Sequence, residues 1–285
     1  MTANMHGVYA KWERAVEQLT TLDKEIDAFC SEPHPYTIYS HDHRKNGRYR
    51  FEIMPAWPSN LPYRWGAILG EIVHDFRSAL DSLVCQLAIL NSGKTYRSHT
   101  FPVCAEEPKK GFAAEMRREW VDSNGKTRRG ALFGLSDQAV AIIEACQPYV
   151  RDDGLLLQRL HALWNFDKHR HLTPITIAAP PARLIPEDVP VLSRDDRLER
   201  GTYILEITVS PDTQVEVEPQ PPTDITLSDG SPAVSELKAI GKLILIGLLM
   251  PAGDLFPEML GVGMPGPKYS AHQWPPWGRS ALNPG

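Results

Sequence analysis

The sequence predicts an α+β fold that is mainly helical: a core bundle of four or five helices with a small flanking antiparallel sheet. Three observations lead there. Two stretches far apart in the chain, Gly70 to Leu90 and Leu155 to Leu172, repeat apolar residues at the helical period. Segments outside them alternate apolar and polar residues with period two, between turns rich in proline and glycine. The 285 residues, 42% of them hydrophobic, suffice for a sizeable core.

From Val8 to Cys30 the apolar residues Val8, Trp12, Val16, Leu19, Leu22 and Ile26 keep helical spacing, and Pro33 with Pro35 ends the helix. YTIYSHD and YRFEIMP follow, joined by HRKNGR, and Asn46-Gly47 between alternating runs predicts a β-hairpin. His41 and His43 fall on one strand face beside the turn. Two metal-ligand types do not make a site, so they are read as a polar strand end. Pro55, Pro58 and Pro62 form a linker into the first central helix, where Leu69, Ile72, Val73, Phe76, Leu80, Leu83, Val84 and Leu87 make one stripe. His74, Arg77 and Asp81 line a flank of that stripe on adjacent turns, within reach of one another and of any helix beside them. Glu71, Asp75, Ser78 and Ser82 are expected to face solvent.

After Gly93 the chain reads as irregular, with a short FPV strand at 101–103, until a helix from about Pro108 to Val121. Seven Lys or Arg between 108 and 130 outnumber Glu115, Glu119 and Asp122. A solvated loop is the plain reading of that surface, and a phosphate-backbone contact the functional one. Ser136 caps a helix that turns Ala139, Val140 and Ile143 to the core, and a short link past Pro148 makes it an antiparallel neighbour of the second central helix. In that helix Leu156, Leu160, Leu163 and Trp164 define the apolar face, with His161, Asn165 and Lys168 opposite. Asp167 projects among the leucines, with His171 one turn on. An unpaired carboxylate there is costly, so a partner is expected: Arg77 or His74 on the other helix, or Lys168.

Beyond Leu172, TPITIAA, TYILEITVS, QVEVEP and DITLS read as strands of a small antiparallel sheet, with the 36–54 hairpin as companion. Residues 186–224 carry ten acids and three arginines, a poor face for nucleic acid. Val234 to Met250 returns to helix, and the last 35 residues, with seven prolines and six glycines, are expected to extend except where Trp274 and Trp277 pack. The implied organisation is 1–60 packing on the core, 61–172 as the helical core, 173–250 as sheet and docking helix, and 251–285 as tail.

A net charge of −5 speaks against coating nucleic acid through bulk electrostatics. Cys30, Cys85, Cys104 and Cys146 lack CxxC spacing, and with Cys85 and Cys146 in predicted helices beside apolar residues, buried free thiols in a reducing cytoplasm are the plain reading. No signal-peptide pattern opens the chain, and its most apolar run, 243–250, is too short to span a membrane. A cytoplasmic protein without membrane attachment is the expectation.

The two central stretches resemble the paired signatures of a widespread bacterial group, "GE..H..RSALD" and "L..L.N.DKHR". Here they read Gly70-Glu71, His74 and Arg77 to Asp81, then Leu160, Leu163, Asn165 and Asp167 to Arg170. More distantly the chain is similar to HEPN domains, helical bundles of RNA-cleaving toxins and phage-defence proteins. That similarity implies a polar constellation between long helices, and helical domains of this kind often pair as homodimers. Its Arg-then-His signature, four to six residues apart, has no counterpart: Arg159 precedes His161 by two residues, and His171 directly follows Arg170.

The candidate site is therefore His74, Arg77, Asp81, Asn165, Asp167, His169 and Arg170. Three uses of it are open. In metal-independent cleavage of RNA or another phosphodiester, His74 or His169 is the general base and Arg77 or Arg170 stabilises phosphate charge, with no cofactor. In a non-catalytic binding or regulatory module, the same groups form a structural network that sets helix register. In a metal-dependent phosphohydrolase, His74, Asp81, His161, Asp167 and His169 are candidate ligands, although the ExxH of Glu71 and His74 has no second copy. GxSxG, GxGxxG and GxxxxGK[ST] are absent, so serine-hydrolase and nucleotide-driven chemistry have no support.

Overall fold

The computed structural model describes residues 2–31, 37–42, 48–56, 62–169, 176–177, 182–185, 188, 190–199, 202–210, 213–219, 224–227 and 231–256. In chain order its elements are α1 (His6–Ser31), β1 (Thr37–Asp42), β2 (Arg48–Ala56), α2 (Arg64–Ser92), α3 (Phe112–Met116), β3 (Glu119–Val121), β4 (Thr127–Arg129), α4 (Asp137–Glu144), α5 (Leu155–His169), β5 (Thr176–Ile177), β6 (Ala182–Ile185), β7 (Ser193–Glu199), β8 (Thr202–Thr208), β9 (Glu216–Pro219), β10 (Ile225–Thr226), α6 (Ala233–Leu243) and α7 (Met250–Gly253). A π-helical stretch, Ile244–Leu249, joins α6 to α7. The chain divides into a helical unit, Met1–Thr20 with Ile68–Leu172 and Glu236–Gly285, and a second unit, Thr21–Ala67 with Thr173–Ser235, that carries most of the strands.

In the helical unit α2 lies at the centre because its apolar stripe is wide: Leu69, Ile72, Val73, Phe76, Ala79, Leu80, Leu83, Val84, Leu87 and Ala88 are all buried. It ends at Gly93, whose φ of 70° takes the left-handed conformation that lets its N–H close on Ile89 O at 2.8 Å. Trp12 of α1 donates from Nε1 to Gly241 O of α6 at 2.9 Å, and Tyr9 donates to Leu249 O at 3.2 Å. A Cβ at Gly241 would come within 2.8 Å of the Phe76 ring, so glycine is what lets α2 and α6 approach there. Arg159 of α5 meets Glu236 of α6 at 2.9 Å. Ser136 caps α4 by accepting from Ala139 N at 3.2 Å, and Ala139, Val140 and Ile143 are buried. The result is the mainly helical bundle, of five longer helices, that the periodicities predict.

Much of the face of α2 expected to meet water is instead a seam with α1, although Glu71 stays exposed as expected. Gln18 donates to Glu71 at 2.8 Å, Arg14 forks onto Asp75, Lys11 donates to the hydroxyls of Ser78 at 2.8 Å and Ser82 at 2.6 Å, and Gln86 accepts from Asn4 N at 3.0 Å. The partners run 18, 14, 11, 4 against 71, 75, 78/82, 86, the order of two antiparallel helices. Asp75 is thereby 1% exposed. Helical periodicity alone misplaces it because a polar face covered by another polar face looks like a solvated one.

Two further expectations change. The helix drawn from 108 to 121 is only the five residues of α3, and the chain then folds into the β3–β4 hairpin, turning at Gly125 with φ 72°. The signal was Asn124-Gly125, the same dipeptide that predicts the first hairpin. The FPV run forms no strand. The apolar helix toward the C-terminus buries Ile240, Leu243, Ile244, Leu245, Leu248 and Leu249 within its own chain, leaving Ile246 at 36% exposure. The tryptophans at 274 and 277 lie outside the described residues, as does the turn of the first hairpin with His43.

In the second unit, four antiparallel strands stand in the order β1-β2-β8-β7. The 36–54 hairpin does join the later strands: β2 pairs with β8, setting Phe51 opposite Leu205 and Tyr49 opposite Ile207. These four, with Leu184, Val209 and Val215, form its core. β1 closes one edge of the sheet, and its Pro55 partner lies inside β2, not in a linker. β7, SRDDRLE, closes the other edge. It lacks apolar alternation, so the sequence does not announce it, yet a charged edge strand is the kind that resists pairing with other chains. Asp224, 4% exposed, accepts from the backbone N–H of Val234 and Ser235, each at 2.9 Å, and so caps α6 from nine residues upstream. No helix among the described residues is long and apolar enough to cross a membrane.

The seam makes a distinct prediction. Arg14→Ala strands a buried carboxylate and is expected to cost about 1–3 kcal/mol in urea unfolding. Lys11→Ala leaves only hydroxyls with access to water and is expected to cost less than about 1 kcal/mol. Equal, small losses for the two would contradict the burial of Asp75.

Candidate functional site

The i,i+4 spacing of Arg77 and Asp81 puts both on one edge of the α2 stripe, and there they hold a single residue of the loop that follows. Arg77 Nη2 donates to Phe101 O at 2.7 Å, and Phe101 N donates to Asp81 Oδ1 at 2.8 Å. The two side chains pair with each other at 3.0 Å. Both backbone groups of Phe101 are thus satisfied by one ion pair, while its ring is 1% exposed. Arg77 itself is 4% exposed, and its Nε has no hydrogen-bond partner among the described residues.

The adjoining loop is fixed in the same manner. Gln147, fully buried, accepts from Cys104 N at 2.8 Å and donates to Pro102 O and Ile143 O, each at 3.1 Å. A Cβ on Gly154 would meet the Gln147 carbonyl at 2.7 Å, so that glycine admits the close turn beneath. His99 accepts at Nδ1 from Tyr96 N at 3.2 Å, which leaves its proton on Nε2 to donate to Phe133 O at 2.9 Å. Burial holds its pKa below the ordinary histidine value.

Helix α5 brings the other half of the cluster. Leu157, Leu160 and Leu163 are buried, and the ring of Trp164 lies under two cations, Arg77 Cζ at 5.0 Å and Lys168 Nζ at 3.2 Å from its centroid. His161, assigned from the helical wheel to the far side, is half-buried beside Arg77, Asp81 and Lys168. Burial first, then the Arg77 charge, push its pKa down, with Asp81 opposing and Lys168 adding to the shift. Asn165 Nδ2 donates to His161 Nε2 at 3.0 Å, which puts the neutral ring's proton on Nδ1. That atom is buried and lacks a hydrogen-bond partner among the described residues.

Of the seven residues singled out in the sequence, the structure brings Arg77, Asp81 and Asn165 to this cluster. His74 is exposed and makes no hydrogen bond or ion pair with a described residue. Asp167 is half-buried, and Arg77 pairs with Asp81 and not with it. Its carboxylate lies against Gly70, where a Cβ would sit 2.8 Å from Oδ1 and 3.1 Å from Oδ2. The His169 side chain and Arg170 lie outside the described residues. Phe101, Gln147 and Trp164 belong to the site without any motif to announce them, since backbone groups, a lone amide and an apolar-face tryptophan carry none. The Arg-x-x-x-Asp spacing was the available signal.

The basic stretch is largely paired. Arg117 meets Asp137 at 2.7 Å, Arg118 meets Glu115 at 2.9 Å, Arg128 meets Asp122 at 2.7 Å and Arg129 meets Glu119 at 2.7 Å. Cys85, Cys104 and Cys146 are free thiols, each with a pKa raised chiefly by burial. Among the described residues no three His, Cys, Asp or Glu side chains converge to hold a metal ion. The chain matches no family model, and neither a curated protein nor a solved structure matches it.

The close approach at Gly70 has a sign that can be tested. Gly70→Ala adds helix propensity worth about 1 kcal/mol but forces a methyl onto the Asp167 carboxylate, an overpacking cost of about 1–3 kcal/mol. Thermal unfolding is expected to find the single variant no more stable than the parent. In an Asp167→Ala background the same substitution is expected to stabilise. Stabilisation of equal size in both backgrounds would show that the two residues do not meet.

Proposed function

We propose that this protein is a non-catalytic binding or regulatory module, in which the polar groups between α2 and α5 fix helix register and hold the 99–104 loop. The observation that carries the reading is the commitment of Arg77. Its charge is neutralised by Asp81, its Nη2 is spent on the Phe101 carbonyl, and at 4% exposure it has no free surface to present to a phosphate. An enclosed guanidinium neutralised by Asp81 and bonded to the Phe101 carbonyl favours one arrangement of its neighbours, which is what a scaffold requires.

A second reading, HEPN-like metal-independent cleavage of RNA, draws on one observation. His161 lies beside Arg77 and Lys168, and burial with the Arg77 charge lowers its pKa, which favours the neutral ring a general base needs. Under that reading Nε2 takes the proton of a 2′-hydroxyl, the freed oxygen attacks the adjacent phosphorus, and the departing 5′-oxygen is protonated from the ring or from water. It requires Asn165 to release Nε2.

A labelled RNA incubated with the full chain in excess EDTA decides between the two. The expected result is no cleavage above that in buffer, with Arg77→Lys lowering the melting temperature. EDTA-resistant cleavage that His161→Ala abolishes without changing the melt would overturn the module reading and favour the ribonuclease.

A further inference from the structure

The β3–β4 hairpin is an exposed ribbon with a chemically sorted face. Its register sets Glu119 opposite Arg129, Trp120 opposite Arg128 and Val121 opposite Thr127. Backbone bonds continue the pairing at both ends, from Gly130 N to Arg118 O and from Asp122 N to Lys126 O, each at 2.9 Å. Opposed residues share a face and alternate residues return to it. One face therefore carries Arg118, Trp120, Arg128, Lys126 and Asp122. The other carries Glu119, Val121, Thr127 and Arg129; of these Arg129 lies over the rings of Tyr96 at 4.4 Å and Phe133 at 5.3 Å, while Val121 is 65% exposed.

On the first face Trp120 is 38% exposed, and the Arg118 guanidinium stacks on its ring at 4.3 Å. Arg118 and Arg128 are 45% and 53% exposed. The one carboxylate, Asp122, is turned into the turn, where it accepts from Asn124 N and Lys126 N, each at 2.9 Å, as well as from Arg128. The ion pairs that Arg118 and Arg128 make are surface pairs, weak enough to exchange for phosphate oxygens.

We infer that this face of the β3–β4 ribbon binds single-stranded nucleic acid, with a base stacked on the Trp120 and Arg118 platform and the backbone phosphates met by Lys126 and Arg128. A flat aromatic bearing a guanidinium suits an unstacked base, which a duplex does not offer, and cations at alternate positions track a phosphate chain. The remainder of the chain is acidic enough to make the net charge −5, so contact is confined to the ribbon and does not spread over the surface. The inference supplies a partner for the binding module proposed above but uses no residue of the α2–α5 cluster.

The test is fluorescence anisotropy of a labelled oligouridine of about 12 nucleotides with the full chain, as salt rises from about 50 to about 200 mM. Binding is expected, weakening with salt; Trp120→Ala is expected to weaken it about tenfold and Trp120→Phe to retain it. Arg128→Gln should flatten the salt dependence by about one phosphate contact. Trp120 and Arg128 are both exposed, so circular dichroism of each variant is expected to match the parent. No binding at the lower salt, or equal affinity for Trp120→Ala, would overturn the inference. So would equally tight binding of a labelled polyglutamate peptide, which would assign the face to an acidic protein. Cleavage of the oligonucleotide during the titration would count against the non-catalytic reading while leaving this one standing.

Discussion

Phe101 lies in irregular chain, yet its ring and backbone are both inside the helical unit, and a buried peptide group has to find hydrogen-bond partners. Arg77 and Asp81 supply them, one reaching the carbonyl and the other the N–H, from adjacent turns of a single helix. Because the two also pair with each other, neither charge is left unneutralised in the low-dielectric interior. Removing either one would expose the other as well as a backbone group. Trp164 and His161 then pack around a cation whose position is already determined, and Gln147 continues the same task for Pro102 and Cys104.

This constraint shapes the functional reading. A guanidinium available for a phosphate keeps donors free toward solvent, whereas Arg77 is enclosed. Chemistry with access to substrate is left to the exposed edge of α5, where Asn165 and Lys168 stand beside His161. The polar residues that first suggest an active site are in good part the means by which helices and a loop without regular structure are joined.

Much of the architecture was legible because burial imposes a period. The stripe of α2, the Ser136 cap, the first hairpin and its pairing with later strands all follow from apolar spacing and turn residues. What was not legible has a common cause. Asp75 and the α1 seam, the charged edge strand β7 and the Arg77–Asp81 clamp on Phe101 depend on which polar group meets which, and one helical wheel cannot show what covers a polar face. Asp167 illustrates the limit. Its place near an apolar face suggested an ion pair with Arg77, but Arg77 pairs with Asp81, and what Asp167 meets on α2 is the missing side chain of Gly70.

Native-state hydrogen exchange at the Phe101 amide tests the clamp most directly, since that N–H is predicted to be closed off by Asp81 and not by a strand. In the parent protein the amide is expected to exchange about as slowly as that of Leu80 in α2. Asp81→Ala is expected to speed Phe101 exchange by at least about tenfold relative to Leu80, whereas Asp167→Ala leaves the ratio unchanged. Fast exchange at Phe101 in the parent, or an equal response to Asp81→Ala and Asp167→Ala, would contradict the account.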